Sequence, residues 1–342
     1  MSKHYLVTGG AGFIGSNYVK RLLERGEHVT IFDNLSRAGA PRNLAWLKEK
    51  FGETAFWTTV GDVRNPDLIQ DAARDADVIV HLAAQVAVTT SVTDPRNDFE
   101  INAEGTFNVL EAARLGGRNP IFLYASTNKV YGEMLEVPIA ESGTRWHYAE
   151  LPCGCPETQP LDFHSPYGCS KGTGDQYVRD YARIYGLPTV VLRQSCIYGP
   201  RQFGVEDQGW VAWMTIAAVT GKQITIYGDG KQIRDILHVE DLLNAYDAAI
   251  EHIDAVKGKV YNLGGGPENT MSIWTEFGPM LEGLLGKPIP VARGDWRPGD
   301  QKVFVADIRK AGQELGWAPK IGVQAGVTKL FEWVTENKKL FD

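Results

Sequence analysis

Tyr167 and Lys171 stand four residues apart in "SPYGCSK" (165–171), and Thr127 stands in "STNKVYG" (126–132). On a helix, positions i and i+4 share one face, so the phenol and the ammonium point the same way, and Pro166 suits a helix start. A tyrosine with an ordinary pKa of about 10 is too weak a base at neutral pH. A neighbouring ammonium favours the phenolate and is expected to lower that value. The phenolate then takes a hydroxyl proton while hydride leaves the same carbon, and Thr127 gives the reacting oxygen a second hydrogen bond. Taken alone, the spacing is one that chance supplies, and an amphipathic surface helix is the better reading. What separates the two readings is whether the chain can also hold a hydride acceptor.

"TGGAGFIG" answers that. Gly9, Gly12 and Gly15 sit where the apolar run "HYLVT" gives way to a helix-periodic one, with Phe13 and Ile14 among them. Small residues let the backbone approach a pyrophosphate, and the helix N-terminus stabilises its charge. Asp33 ends the next apolar run, 18 residues beyond Gly15, close to the ~20 expected of a ribose-binding acid. A carboxylate there accepts from the ribose hydroxyls and repels a 2′-phosphate, which favours NAD over NADP. Arg37 points the other way, and it follows Asn34 and Ser36 in the same loop. Asp62 and Val63 are placed to meet the adenine edge, or else to pack at a strand end. Leu82, Ala83, Ala84 and Gln85 close a further strand beside the cofactor. Asn102, in "NAEGT", either pins a helix or loop or touches the ligand.

These motifs need rigid elements behind them. "HYLVTGG", "HVTIFDN", "FWTTVGDV", "DVIVHLAA", "PIFLYAST" and "LPTVVLRQS" read as strands, separated by helical patterns such as "NDFEINAEGTFNVLEAARLGG" and "YGCSKGTGDQYVRDYARIYG". Strands alternating with helices predict an α/β fold, a doubly wound parallel sheet of Rossmann type covered on both faces. Beyond Tyr198 the alternation loosens. "WVAWMTIAAVTG" is helical, "KVYNLGGG" is a strand, and "ENTMSIWTEFGPMLEGLLG" reads as a helix with a start signal before it. The expected organisation is a dinucleotide domain over 1–195, with a return segment near 236–265, and a smaller mixed lobe over 196–342. Clefts beside the strand C-terminal ends of such sheets usually hold the ligands.

Composition excludes other classes. The 342 residues are 43% hydrophobic and 23% charged, ordinary for a soluble protein, and the net charge of −7 argues against nucleic-acid binding. No stretch approaches the ~18 apolar residues of a membrane span. "MSKHY" runs straight into the first strand without a signal-peptide core, so the expected location is the cytoplasm. Of four cysteines, Cys153 and Cys155 form "CGC", which lacks the spacing and the second pair of a zinc site. No metal is expected.

With "TGGAGFIGS", "HLAA", "NAEGT", "VYG", "PYGCSK", "YGPRQ", "RDILHVED" and "VADIRKAGQELGW" in order along the whole chain, the sequence resembles the extended short-chain dehydrogenases/reductases, the nucleotide-sugar epimerase/dehydratase group. The resemblance implies retained NAD and a nucleoside-diphosphate sugar as substrate. It also implies Thr127, Tyr167 and Lys171 as catalytic residues. Dehydratases of this group need an Asp–Glu pair after the strand-end Thr, and decarboxylases a Glu in the same stretch. Here stand Asn128 and Lys129, which directs the reading to epimerisation. A 4-epimerase, a reductase and a non-enzymatic NAD sensor are the rivals. Longer segments, "FDNLSRAGAPRNLAWL", "QVAVTTSVTDPRNDFEIN" and "GDGKQIRDILHVEDLL" among them, are similar to the branch that inverts C2 of CDP-linked sugars.

At C2 the diphosphate lies close to the reacting carbon, and Asn128, Lys129 and His164 are expected to shape this tight site; a solvated lysine and a structural histidine are the alternatives. Arg234 and Arg297 match the family's diphosphate-binding arginines, with Lys231 beside them and Asp300 accepting from the ribose. A planar guanidinium fork suits phosphate. Trp210, Val211 and Tyr227 fit walls for base and ribose, or lobe core. Val86, Gly209, Gln194 and Ser195 complete the expected substrate contacts. Cys196 occupies a place where many epimerases carry Asn, and a thiol is a weak hydrogen-bonder, so Gln194 or Ser195 can substitute for that contact. The family also implies a homodimer or homotetramer, joined through helices 98–115 and 167–185.

Overall fold

The computed structural model describes residues 2–297 and 300–341. Its chain forms two compact units, Met1–Val130 with Ser165–Arg193 and Tyr246–Tyr261, and Tyr131–His164 with Gln194–Ala245 and Asn262–Asp342. Residues 131–164 thus group by contact with the second unit.

The first unit is built on strands β1 (His4–Thr8), β2 (His28–Asp33), β3 (Trp57–Val60), β4 (Val78–His81), β5 (Ile121–Thr127), β6 (Thr189–Gln194) and β7 (Lys259–Leu263). Their order in the sheet is β7-β6-β5-β4-β1-β2-β3. β1 pairs in parallel with β2 and β4, β2 with β3, and β4 with β5. The order runs outward from β1 in both directions, so the chain reverses between β1 and β4, the place where a doubly wound sheet holds its ligand. The helices are α1 (Phe13–Glu24), α2 (Ala40–Phe51), α3 (Pro66–Ala73), α4 (Val88–Thr93), α5 (Pro95–Phe99), α6 (Gly105–Leu115) and α7 (Ser165–Tyr185). Leu6, Phe32, Ile79, Phe122 and Val191 from the strands pack with Val109, Leu110 and Val178 from α6 and α7, all essentially buried. Full burial of strands such as "VIVH" explains their unbroken apolar sequence.

The stretch expected as one helix over "NDFEINAEGTFNVLEAARLGG" is broken. A π-helical run, Glu100–Glu104, separates α5 from α6. Such turns are rare and recur at functional sites.

The second unit has its own core of Ala217, Ile224, Phe277, Leu281, Val327 and Leu330. Strand Ile233–His238 pairs with Cys196–Tyr198, Thr270–Ser272 and Val303–Phe304. Helix Trp210–Thr220 forms as expected. The helix expected over "ENTMSIWTEFGPMLEGLLG" does not: Thr270–Ser272 is a strand, and only Phe277–Leu285 is helical. Ser272 and Glu276 hold the break reciprocally, Ser272 N donating to Glu276 Oε2 (3.0 Å) and Glu276 N to Ser272 Oγ (2.9 Å). This is the logic of a capping box, which starts the helix one turn later. Among the described residues no helix is long and apolar enough to cross a membrane, and no cluster of His, Cys, Asp and Glu could hold a metal ion.

Candidate active site

The turn between β1 and α1 is tight enough to require glycine. Gly9 has φ +68°, and a Cβ on Gly15 would lie 2.2 Å from the Gly9 carbonyl oxygen. No side chain caps α1 at Gly12. The first-turn N–H groups of Phe13, Ile14 and Gly15 therefore lack intrahelical partners, an arrangement that suits a phosphate. At the end of β2, Asp33 accepts from Ala11 N (3.0 Å) and Leu35 N (2.8 Å), which fixes its carboxylate beside this turn. Burial pushes its pKa up against those bonds. These residues fit a dinucleotide: an uncapped helix terminus for the pyrophosphate and a fixed carboxylate for the ribose.

Around this cradle, Asn34 donates to Asp62 Oδ2 (3.0 Å), and Ser36 N to the Asn34 side chain (3.1 Å). Arg64 forks onto Asp62 (2.8 and 2.9 Å) and holds that carboxyl well below the usual range. Arg37 is exposed. Val63 is buried in the core of this unit. Leu82 N and Ala83 N donate to Thr8 Oγ1 (3.2 and 3.3 Å), and residues 82–86, Ala84 and Val86 included, are half-buried. Asn102 is 1% exposed and fully engaged. Its Oδ1 accepts from Gln85 N (2.9 Å), and its Nδ2 faces Gln85 O (3.0 Å), Asp98 Oδ1 (3.1 Å) and Ser170 Oγ (3.1 Å). It pins the strand-end loop.

Thr127 is the last residue of β5; Tyr167 and Lys171 lie one turn apart on α7. The helix starts at Ser165, whose φ of +65° is strained for a residue with a side chain. Ser165 Oγ accepts from Gly168 N (3.3 Å), and Tyr167 N donates to Ser91 Oγ (3.1 Å). Lys171 is 4% exposed, its ammonium 4.3 Å from the centre of the Tyr124 ring. Burial lowers its pKa to about 7 against the attraction of Asp175 and Asp98. Tyr167 does not follow the expectation of a lowered pKa. Burial of the phenol pushes it up to about 12, and the hydrogen bond with Thr127 opposes this only in part. The Asp98 carboxylate adds to the rise.

Asn128 and Lys129 begin the 3-10 turn after β5. Asn128 Oδ1 accepts from Thr127 Oγ1 (3.3 Å), and Thr127 Oγ1 accepts from Lys129 N (3.3 Å).

In the second unit the expected substrate residues fall into separate clusters. Arg297 lies 3.8 Å over the Tyr227 ring, and its fork meets Asp207 (3.3 Å) and Glu206 (3.7 Å). Arg234, 7% exposed, donates to Asp300 Oδ1 (2.7 Å) and Gln301 O (2.6 Å). Lys231 pairs with Glu141, and His164 with Glu133 (3.2 Å). Ser195 donates to Asp235, Gln194 is 7% exposed, and Cys196 sits in a strand paired to Ile236. Gly209 (φ +77°) precedes Trp210, whose ring packs edge-on against Phe277 (5.1 Å). Val211 is core.

Sequence reasoning missed the layer beneath the couple. Asp175 is fully buried and takes both an Arg193 fork (2.8 and 3.0 Å) and Ser126 Oγ (2.8 Å). Asp98, also fully buried, takes Ser170 Oγ (2.5 Å) and Asn102. His81 bonds Thr8 (2.7 Å) and Thr106 (3.0 Å), and burial lowers its pKa to about 3. The spacing of Asp175, four residues after Lys171, was the one signal on offer. The carboxylates Glu206 and Asp207 opposite Arg297 were also unforeseen.

Residues 5–264 match the NAD dependent epimerase/dehydratase family. The chain belongs to that family. It is 44% identical over 337 residues to the CDP-paratose 2-epimerase of Salmonella typhi, across 96% of this chain and 98% of that one. The UDP-glucose 4-epimerase of Thermotoga maritima, solved with UDP-glucose, has a TM-score of 0.83 at 30% identity, covering 98% of this chain and 99% of its own. The UDP-glucose 4-epimerase of Thermus thermophilus, solved with NAD, has a TM-score of 0.80 at 32% identity, covering 96% and 98%. NAD is the cofactor of this family, and the turn at Gly9–Gly15 with Asp33 fits it.

Proposed function

We propose that the protein is an NAD-dependent nucleotide-sugar epimerase that interconverts CDP-paratose and CDP-tyvelose by inverting C2. The observation that carries this reading is the 44% identity to a CDP-paratose 2-epimerase across 96% of the chain. The end of β5 supports it: eliminating water needs a carboxyl acid and base after Thr127, and Asn128 and Lys129 supply neither.

NAD, when bound, accepts hydride from the sugar carbon and returns it to the opposite face. The remaining work falls to the chain. Gly9, Gly12, Gly15 and Asp33 hold the dinucleotide. The Tyr167 phenolate is favoured against burial by Lys171 together with the positive charge of oxidised NAD. Tyr167 Oη then takes the C2 hydroxyl proton as that carbon becomes a ketone, and gives it back after the keto sugar has turned. Thr127 Oγ1 holds the reacting oxygen, and the Lys171 ammonium stabilises the phenolate. Arg234 and Arg297 bind the diphosphate, which exchanges their carboxylate partners for phosphate oxygens. Residues 1–195, with the return near 236–265, serve NAD, and 196–342 serve the nucleotide sugar. Phe107, Tyr177, Ile184 and Tyr185, exposed on α6 and α7, form the self-association face of a homodimer or homotetramer.

The test is a panel of CDP-paratose, CDP-glucose and UDP-glucose with the NAD-loaded protein, products read by NMR. CDP-tyvelose is the expected product. Inversion of UDP-glucose at C4 with CDP-paratose untouched would replace this reading with a 4-epimerase.

A further inference from the structure

The carboxylate of Asp98 lies in the buried layer under the couple, on a helix of its own. α5 is only five residues long and opens with Asp94 accepting from Asn97 N (3.1 Å). It continues directly into the π turn that carries Asn102. Asp98 Oδ2 takes Ser170 Oγ at 2.5 Å, and Oδ1 takes Asn102 Nδ2 at 3.1 Å. Asn102 Nδ2 can only donate, and Ser170 separates Tyr167 from Lys171 along α7, so both donors fit an ionised carboxylate set beside the couple. Asp98 is 0% exposed, and its partners among the described residues are neutral.

The groups facing Lys171 can be enumerated. From β5 comes Tyr124, under its ammonium. From β4 comes His81, neutral because burial holds its pKa near 3. From its own helix come Tyr167 and Asp175. Asp175 is matched by the Arg193 fork on β6 (2.8 and 3.0 Å), so its charge is balanced locally. Both carboxylates attract the Lys171 ammonium, Asp175 the more strongly, and Asp98 is the one of the two with no cation bonded to it.

We propose that Asp98 is a positioning residue for the couple: gripped by Ser170 and Asn102, it is a buried counter-charge that, with Asp175, biases Lys171 toward the ammonium. This rests on reading Tyr167 and Lys171 as the acid/base couple. Asn102 also holds both backbone groups of Gln85, so the same grip ties the loop after β4 to the charge state of Lys171. A buried ammonium without such a partner loses its proton, and a neutral amine cannot stabilise the phenolate.

The test uses protein labelled with 13C at lysine Cε and aspartate Cγ, titrated by NMR with and without NAD. Lys171→Met and Asp98→Asn assign the two resonances. In Asp98→Asn, which keeps size and one acceptor, the Lys171 midpoint should fall by about one unit or more, and the alkaline limb of turnover should move down by the same amount. Should Asp98→Asn not fold, the reciprocal arm remains: in Lys171→Met the Asp98 midpoint should rise by a like amount, because coupling is mutual. Unmoved midpoints in both arms would make Asp98 a structural residue and overturn the proposal. Full turnover in Tyr167→Phe would sink the couple itself, whatever the midpoints do.

Discussion

Burial acts on Tyr167 and Lys171 in opposite directions, the phenol up to about 12 and the amine down to about 7. Both shifts favour the neutral forms. For Lys171 the consequence for stability has a definite sign. Its folded pKa of about 7 lies below the ordinary 10.5. Between those values the unfolded chain binds the proton and the folded one does not, so the contribution of this residue to stability rises with pH across that window. Lys171→Met removes that rise. The difference in melting temperature, variant minus native, should therefore be larger at pH 6 than at pH 10, as calorimetry can check. At Lys129 the backbone N–H secures Thr127 Oγ1 and leaves the role of the side chain to be tested. Lys129→Met should lower turnover about tenfold or more while NAD stays bound by absorbance. Unchanged turnover would take the ammonium out of the mechanism.

The elements hold these residues with little tolerance. A methyl group on Gly15 would meet the Gly9 carbonyl at 2.2 Å and Gly10 Cα at 2.7 Å. Gly15→Ala should thus destabilise the protein by about 1–3 kcal/mol and abolish NAD retention, measured by denaturant unfolding and by titration with NAD. Strands of the first unit were legible because burial on both faces writes them as apolar runs. The glycines and Asp33 were legible because a turn and a strand end sit at fixed spacings. Thr270–Ser272 was not, since its neighbours look helical and the Ser272–Glu276 exchange that breaks the helix is a side-chain event. Nor was Asp98: its partner Ser170 lies 72 residues away, a relation that no periodicity records. The raised pKa of Tyr167 escaped for the same reason, because desolvation depends on everything packed around the phenol.

At the scale of the whole molecule, the chain divides its chemistry between two units with separate cores. The helices of the first unit keep apolar side chains in water: Phe107 is 42% exposed, Tyr177 47% and Ile184 66%. Phe107 and Tyr177 meet edge-on (6.0 Å); exposed apolar surface of that kind marks an interaction face, and we expect a second copy to cover it. Light scattering should give at least twice the 37.8 kDa of one chain. Combined Phe107→Glu and Ile184→Glu substitutions should return the mass to that of a monomer. The central claim, that one carbon loses and regains the same hydride, is tested most directly by incubating the NAD-loaded protein with CDP-paratose in deuterated water and following C2 by NMR. The account predicts inversion to CDP-tyvelose with protium kept at C2. Deuterium at C2 would mean that the carbon is inverted by proton exchange with solvent, and would contradict it.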